Sequence, residues 1–156
     1  MTDQSETWTG GCLCGAVTYE SNSSPVKKYS GYCHCRMCQK AYGNGFTAFV
    51  GFFAESFRIT RGEPTIYRSS NVGERGFCAR CGSPLIMRYS SLPDRIYVYV
   101  GTLDRAADTE RYMDGHVCIE SEIPWLTIHD DLPRERSDEV ETYASAGLVV
   151  DDDEPQ

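Results

Sequence analysis

Eight cysteines fall into three tight groups and one singleton: Cys12-Leu-Cys14, Cys33-His-Cys35-Arg-Met-Cys38, Cys78-Ala-Arg-Cys81 and Cys118. Thiolates one or two residues apart on a tight turn can point at a single ion, and Zn²⁺ takes four soft ligands tetrahedrally. A disulfide framework fits less well, because such short spacings bridge poorly within a group. A redox C-x-x-C is weakened by the presence of two competing pairs. Cys14-Gly15 and Cys81-Gly82 place glycine after a presumed ligand, where a knuckle needs positive φ. One C-x-C plus one C-x-x-C supplies four thiolates, a closed structural site. The remaining Cys33, Cys35 and Cys38 supply three, leaving a position for water or substrate, the arrangement of a catalytic zinc. Either Cys118 or His116 could instead close that second site. Spacing decides neither this nor which pair joins which.

The elements that must position these groups are short strands separated by Gly, Pro, Asn and Ser. Strands are expected at Ala16–Glu20, Lys28–Cys33, Phe46–Phe53, Phe57–Thr60, Thr65–Arg68, Arg75–Cys78, Leu85–Tyr89, Ile96–Val100 and Arg111–Ile119. One or two helical turns are expected over Arg36–Tyr42, and a short helix capped by Ser137 over Asp138–Ala146. The expected fold is mainly β, two or three packed sheets pinned by metal.

With 156 residues, the chain has the size of one domain. Lys and Arg number 15 against 23 Asp and Glu, giving a net charge of −8. Seven of the acids lie in residues 137–156, which hold no basic residue, so residues 1–136 carry 16 acids against 15 bases. A nearly neutral body lacks the basic stripe that nucleic acid or an anionic membrane surface requires. No apolar run is long enough to span a bilayer. Absence of a basic-then-apolar leader makes the cytoplasm the expected compartment, where disulfides rarely persist. The expected organisation is a flexible N-terminus over 1–7, a zinc-binding domain over 8–135 and an acidic C-terminal tail over 136–156.

Three stretches together resemble the glutathione-dependent formaldehyde-activating enzyme family: Gly11-Cys12-Leu13-Cys14-Gly15, Cys33-His34-Cys35-Arg36-Met37-Cys38 and Phe77-Cys78-Ala79-Arg80-Cys81-Gly82. The resemblance continues through Phe57–Gly62 and His116–Ser121 to Pro124-Trp125. It implies a β-tent-type fold of several short antiparallel sheets with little helix, and two zincs per chain. Cys12, Cys14, Cys78 and Cys81 would hold a structural zinc; Cys33, Cys35 and Cys38 would hold a catalytic one. The implied activity is a carbon–sulfur lyase reaction joining glutathione to formaldehyde as S-(hydroxymethyl)glutathione. Alternatives are another small thiol or conjugate on the same fold, or a non-catalytic zinc-stabilised binding module. Cys118 matches none of the family's ligand positions and is expected to pack as a small apolar residue on an inner strand face. His34, between two ligands, is expected to point away from the metal, and His116 to be a satisfied structural histidine. Arg36, Lys40, Arg75 and Arg80 flank the cysteine groups, as surface charges or as contacts for a thiol's carboxylates.

Overall fold

The computed structural model describes residues 6–141 together with Tyr143 and Gly147. Eleven strands and one α-helix are assigned among them: β1 (Trp8–Gly11), β2 (Thr18–Ser21), β3 (Val26–Cys33), α1 (Arg36–Tyr42), β4 (Thr47–Phe53), β5 (Phe57–Arg61), β6 (Thr65–Arg68), β7 (Gly73–Phe77), β8 (Pro84–Tyr89), β9 (Arg95–Tyr99), β10 (His116–Val117) and β11 (Arg134–Glu135). The fold is mainly β, as expected. A small sheet runs β1-β2-β5, and an eight-stranded sheet runs β11-β10-β3-β4-β9-β8-β7-β6.

Side-chain alternation divides the large sheet into two chemically different faces. Val50 and Phe52 of β4 and Ile96 and Val98 of β9 join Trp8, Val17 and Tyr19 in an aliphatic core. That core lies between the large sheet and the small one. The alternate residues, Phe49 of β4 and Tyr97 and Tyr99 of β9, cluster with Tyr29, Met87 and Tyr89 on the opposite face. This second, tyrosine-rich face lines a cavity.

Beyond β3 the pairing turns parallel. His116 and Val117 of β10 lie opposite Tyr32 and Cys33, and β11 continues in the same sense. The strands must approach closely there: a Cβ on Gly31 would sit 2.4 Å from the Gly115 carbonyl oxygen, which accepts from the Tyr32 amide.

The strand expected over Arg111–Ile119 is largely replaced. Ala106–Tyr112 forms a 3₁₀ helix, His116–Val117 alone is strand, and Ile119–Ser121 is again 3₁₀. Its breaker is Cys118, at φ 59° and ψ 43°, the one non-glycine positive φ among the described residues. Such a backbone costs an L residue roughly 1–3 kcal/mol. β1 and β11 were not expected from sequence. Of the expected C-terminal helix, Ser137–Glu139 form a turn and Glu141 and Tyr143 are helical. Thr142 and residues 144–146 lie outside the described residues, as do residues 1–5 of the expected flexible N-terminus. Glu6 pairs with Arg105 and Arg111.

Candidate metal centres and thiol cavity

The first thiol group forms where the β1–β2 loop meets the β7–β8 turn. Cys12, Cys14, Cys78 and Cys81 place all four sulfurs within 4.8 Å of one another. Cys12 Sγ is 3.6 Å from Cys14 Sγ, which is 3.8 Å from Cys78 Sγ. A tetrahedron of Zn–S bonds of about 2.3 Å has edges of about 3.8 Å, so the donor set fits zinc in kind and in spacing. Gly15 and Gly82 have φ of 74° and 77°, the left-handed turns the spacing called for. Backbone and hydroxyl donors orient the sulfurs: the Val17 amide donates to Cys12 Sγ. Hydrogen bonds from the Ser83 hydroxyl and amide lower the Cys81 pKa to about 5, which favours the thiolate a metal needs.

The second group is built from a strand end and a helix start. Cys33 closes β3. Cys35 is the N-cap of α1, its sulfur accepting from the Cys38 amide at 3.3 Å, and Gly43 ends the helix at φ 61°. One cap motif therefore presents two thiols to the same point. Cys33, Cys35 and Cys38 sulfurs lie within 4.8 Å of one another, and all three residues are buried. Soft donors so grouped fit zinc as well.

Cys118 joins them. It is fully buried and clusters with Cys33, Cys35 and Cys38, at the turn after β10 rather than on an inner strand face. Hydrogen bonding to Cys118, Cys33 and Cys38 pulls the Cys35 pKa far below that of an ordinary thiol. Cys33 is pushed well up by the same contacts. Cys38 rises to about 11, where Cys35 and burial outweigh the lowering hydrogen bond with Cys33.

Arg75 is the flanking cation that reaches this site. It is buried, and its Nη2 donates to Cys38 Sγ at 3.7 Å. Nη1 donates to the Tyr42 and Tyr99 hydroxyls, while Nε has no partner. Burial opposes its charge, but the Cys38 sulfur and the two tyrosines more than restore it. Arg36 instead bonds Gln39 on its own helix.

Both central histidines are buried and bonded to each other. His34 Nε2 lies 2.9 Å from His116 Nδ1, and His116 Nε2 is 3.0 Å from Asp130 Oδ2. Glu122 Oε1 stands 3.6 Å from His34 and is paired with Arg134 at 2.8 Å. Burial lowers the His34 pKa. His116 is thus a satisfied structural histidine, as expected, and His34 is its partner. Gln39 extends the network, donating to the carbonyls of His34 and Ser121.

A cavity of about 590 Å³ opens beside the second group, lined by Cys33, Cys35 and Cys38 and by the tyrosine face of the sheet. Its charged lining is mixed: Lys28, Arg75 and Arg95 against Asp114, Glu135, Glu139 and Glu141. Glu139, Val140, Glu141 and Tyr143, from the segment expected to be a tail, form part of its wall. Tyr143 Oη lies 3.7 Å from Cys33 Sγ and 3.8 Å from Cys118 Sγ. Sequence reasoning missed Tyr143, Glu122, Asp130 and Arg134. Nothing in their local sequence marks them, since each acts across a long separation.

A mainly β fold with a four-thiol knuckle, and a second buried thiol group opening on a cavity, defines a cysteine-rich β protein whose thiol groups could each hold a metal ion. The chain belongs to the family described as glutathione-dependent formaldehyde-activating enzyme, whose profile matches residues 7–119. A Halomonas elongata protein named "Putative glutathione-dependent formaldehyde-activating enzyme" is 29% identical over 127 residues, covering 76% of this chain and 79% of that protein. The crystal structure of a Rhodobacter sphaeroides protein is similar at 25% identity, with a TM-score of 0.50, over 62% of this chain and 88% of that one. No described helix is long and apolar enough to cross a membrane.

Proposed function

We propose that the chain is a two-zinc enzyme of carbon–sulfur lyase type that joins glutathione, or another small thiol, to formaldehyde or a related electrophile. The carrying observation is that three buried thiols face a mixed-charge cavity of about 590 Å³. A tripeptide thiol bearing carboxylates and an ammonium group matches such a lining in size and in charge. Family membership supports the same reading.

In this proposal Cys12, Cys14, Cys78 and Cys81 hold a structural zinc, and Cys33, Cys35 and Cys38 a catalytic one. Zinc bound there would deprotonate an incoming thiol that is otherwise only a few per cent ionised near neutral pH. The protein's own contribution is position. Arg75, fixed by Tyr42 and Tyr99, holds the Cys38 sulfur. Lys28 and Arg95 offer cations to substrate carboxylates at the cavity wall. The buried sheet face limits water around the reacting sulfur. Holding thiol and aldehyde in contact distance supplies the gain expected of proximity and orientation.

The test is exchange NMR on glutathione and formaldehyde at equilibrium, with and without zinc-loaded protein. Interconversion faster than the spontaneous background, lost in Cys35→Ser, is the expected result. No acceleration by a protein carrying two zincs would refute the reaction for this thiol and turn the search to other thiols or to a binding role.

A further inference from the structure

Each sulfur of the second thiol group has an outer hydrogen-bond partner, and the three partners come from different parts of the chain. The Cys38 amide donates to Cys35 Sγ at 3.3 Å, and Arg75 Nη2 donates to Cys38 Sγ at 3.7 Å. Cys33 Sγ lies 3.7 Å from Tyr143 Oη. The direction of that last contact follows from its neighbour. The Cys118 thiol donates to Tyr143 Oη at 3.8 Å, which occupies a lone pair of the oxygen and leaves its hydrogen for Cys33. A phenol keeps its proton at neutral pH, whereas a sulfur that binds metal gives its own up, so Cys33 accepts.

Tyr143 belongs to a segment beyond residues 7–119, the stretch that the family profile matches. That segment is docked at several points. β11 pairs with β10, and the Ser137 amide donates to the Glu120 carboxylate at 3.2 Å. Val140 is buried, and its carbonyl accepts from the Tyr143 amide at 2.9 Å. The Tyr143 ring then packs against the thiol cluster.

We infer that Tyr143 is a positioning residue of the second thiol group: its hydroxyl, oriented by the Cys118 thiol, donates to the Cys33 sulfur and tunes how that sulfur holds a metal. This rests on the reading that the second group holds zinc. A hydrogen bond draws charge from a thiolate, so the sulfur gives less electron density to the metal. Three thiolates would otherwise blunt a divalent ion as an acceptor for a further sulfur, and the three outer donors together offset this. No bond is made or broken at Tyr143.

The test is Tyr143→Phe in the full chain, which keeps the ring and removes the hydroxyl, read by cobalt(II) substitution and chelator competition. The difference spectrum against Cys35→Ser isolates the second site. Its thiolate-to-cobalt charge-transfer band should move to lower energy in Tyr143→Phe, because a sulfur without its donor is easier to oxidise. Metal affinity there should fall about tenfold, the low end for losing a ligand's outer partner, with the first site unchanged. Cys118→Ser, whose hydroxyl still donates, should keep the wild-type band, and Cys118→Ala should shift it part of the way. A lower melting temperature with an unmoved band would make Tyr143 a packing residue and overturn the inference. So would a Tyr143→Phe protein with two metals bound and wild-type band and affinity, which would leave the two-zinc reading standing. A single metal per chain in wild type, unaffected by Cys35→Ser, would overturn the two-zinc reading and the inference with it. The Tyr143→Phe comparison decides even if the Cys118 variants fold poorly.

Discussion

Removing Cys78 and Cys81 together, as Cys78→Ala/Cys81→Ala, should unfasten the small sheet from the β7–β8 end of the large one. Cys14 and Cys78 are 64 residues apart, so a metal shared between them closes a loop of that length. Closing such a loop removes denatured-state entropy worth about 4 kcal/mol on the cross-link model. That is a large share of the 5–15 kcal/mol that typically holds a domain together. For a chain of this size, each kcal/mol moves the melting temperature by about 2–4 °C, so the double variant should melt about 8–16 °C below wild type. Alanine keeps most of the small volume of the buried Cys78, so lost packing adds little. The assay is far-UV circular dichroism melting of zinc-loaded proteins, with metal content measured in parallel. A variant that loses one zinc yet melts within about 2 °C of wild type would refute the claim that this site ties the fold. Residual binding of zinc by the unfolded wild type would shrink the difference without abolishing it.

Arg75→Gln removes the guanidinium bonded to Cys38 Sγ and should weaken the second site's metal affinity about 10–100-fold, the usual cost of losing a ligand's outer partner; chelator competition measures it, with the first site unchanged. Gly31→Ala would press a methyl against the Gly115 carbonyl and should cost about 1–3 kcal/mol in urea unfolding, with the β10 amide resonances shifting most. His34 is buried and its pKa is lowered, so the neutral ring should persist on acidification to below its ordinary value of about 6.5. Ring ¹⁵N shifts should show His34 neutral at about pH 6.5, and a His34 charged at that pH would contradict the burial argument. The sign for stability follows: a depressed folded pKa means stability is whole above about pH 6.5 and declines as pH falls toward the folded value.

The thiol groups were legible in the sequence because each knuckle is local: Cys12-Leu-Cys14-Gly15, Cys35–Cys38 and Cys78–Gly82 each carry ligand and turn within a few residues. The helix Arg36–Tyr42 was legible for the same reason, its cap being one of the ligands. Most strands followed from composition, Thr65–Arg68 to the residue. What could not be read is what pairs across distance. His34 and His116 are 82 residues apart, and Cys33 and Tyr143 are 110 apart. The nine-residue strand expected at Arg111–Ile119 failed because its start belongs to the 3₁₀ helix Ala106–Tyr112 and its end is cut off by the left-handed residue Cys118, neither of which apolar periodicity reveals. Arg75 looked like any flanking cation; only the register of β7 against β8 turns it inward under α1. In Ile96-Tyr97-Val98-Tyr99 the alternation was visible, but not that the tyrosines face a cavity and the aliphatics a core.

The two thiol groups differ in a way that follows from where the sheets put them. The first lies at a loop junction with Cys14 exposed and Cys81 only partly covered. Four thiolates would leave a bound metal no free position, so water nearby would do no harm and the group could serve the fold alone. The second lies on the tyrosine face, where exposure would be costly: an unsaturated metal would take water, and a buried thiolate left without a cation would be an unpaired charge. Its environment answers both threats from three separate segments. β7 supplies the Arg75 cation, the turn after β10 brings the buried Cys118 against the group, and the C-terminal segment supplies the Tyr143 hydroxyl. The His34–His116–Asp130 bonds pin β10 to the start of α1, and so fix the segment that carries Cys118.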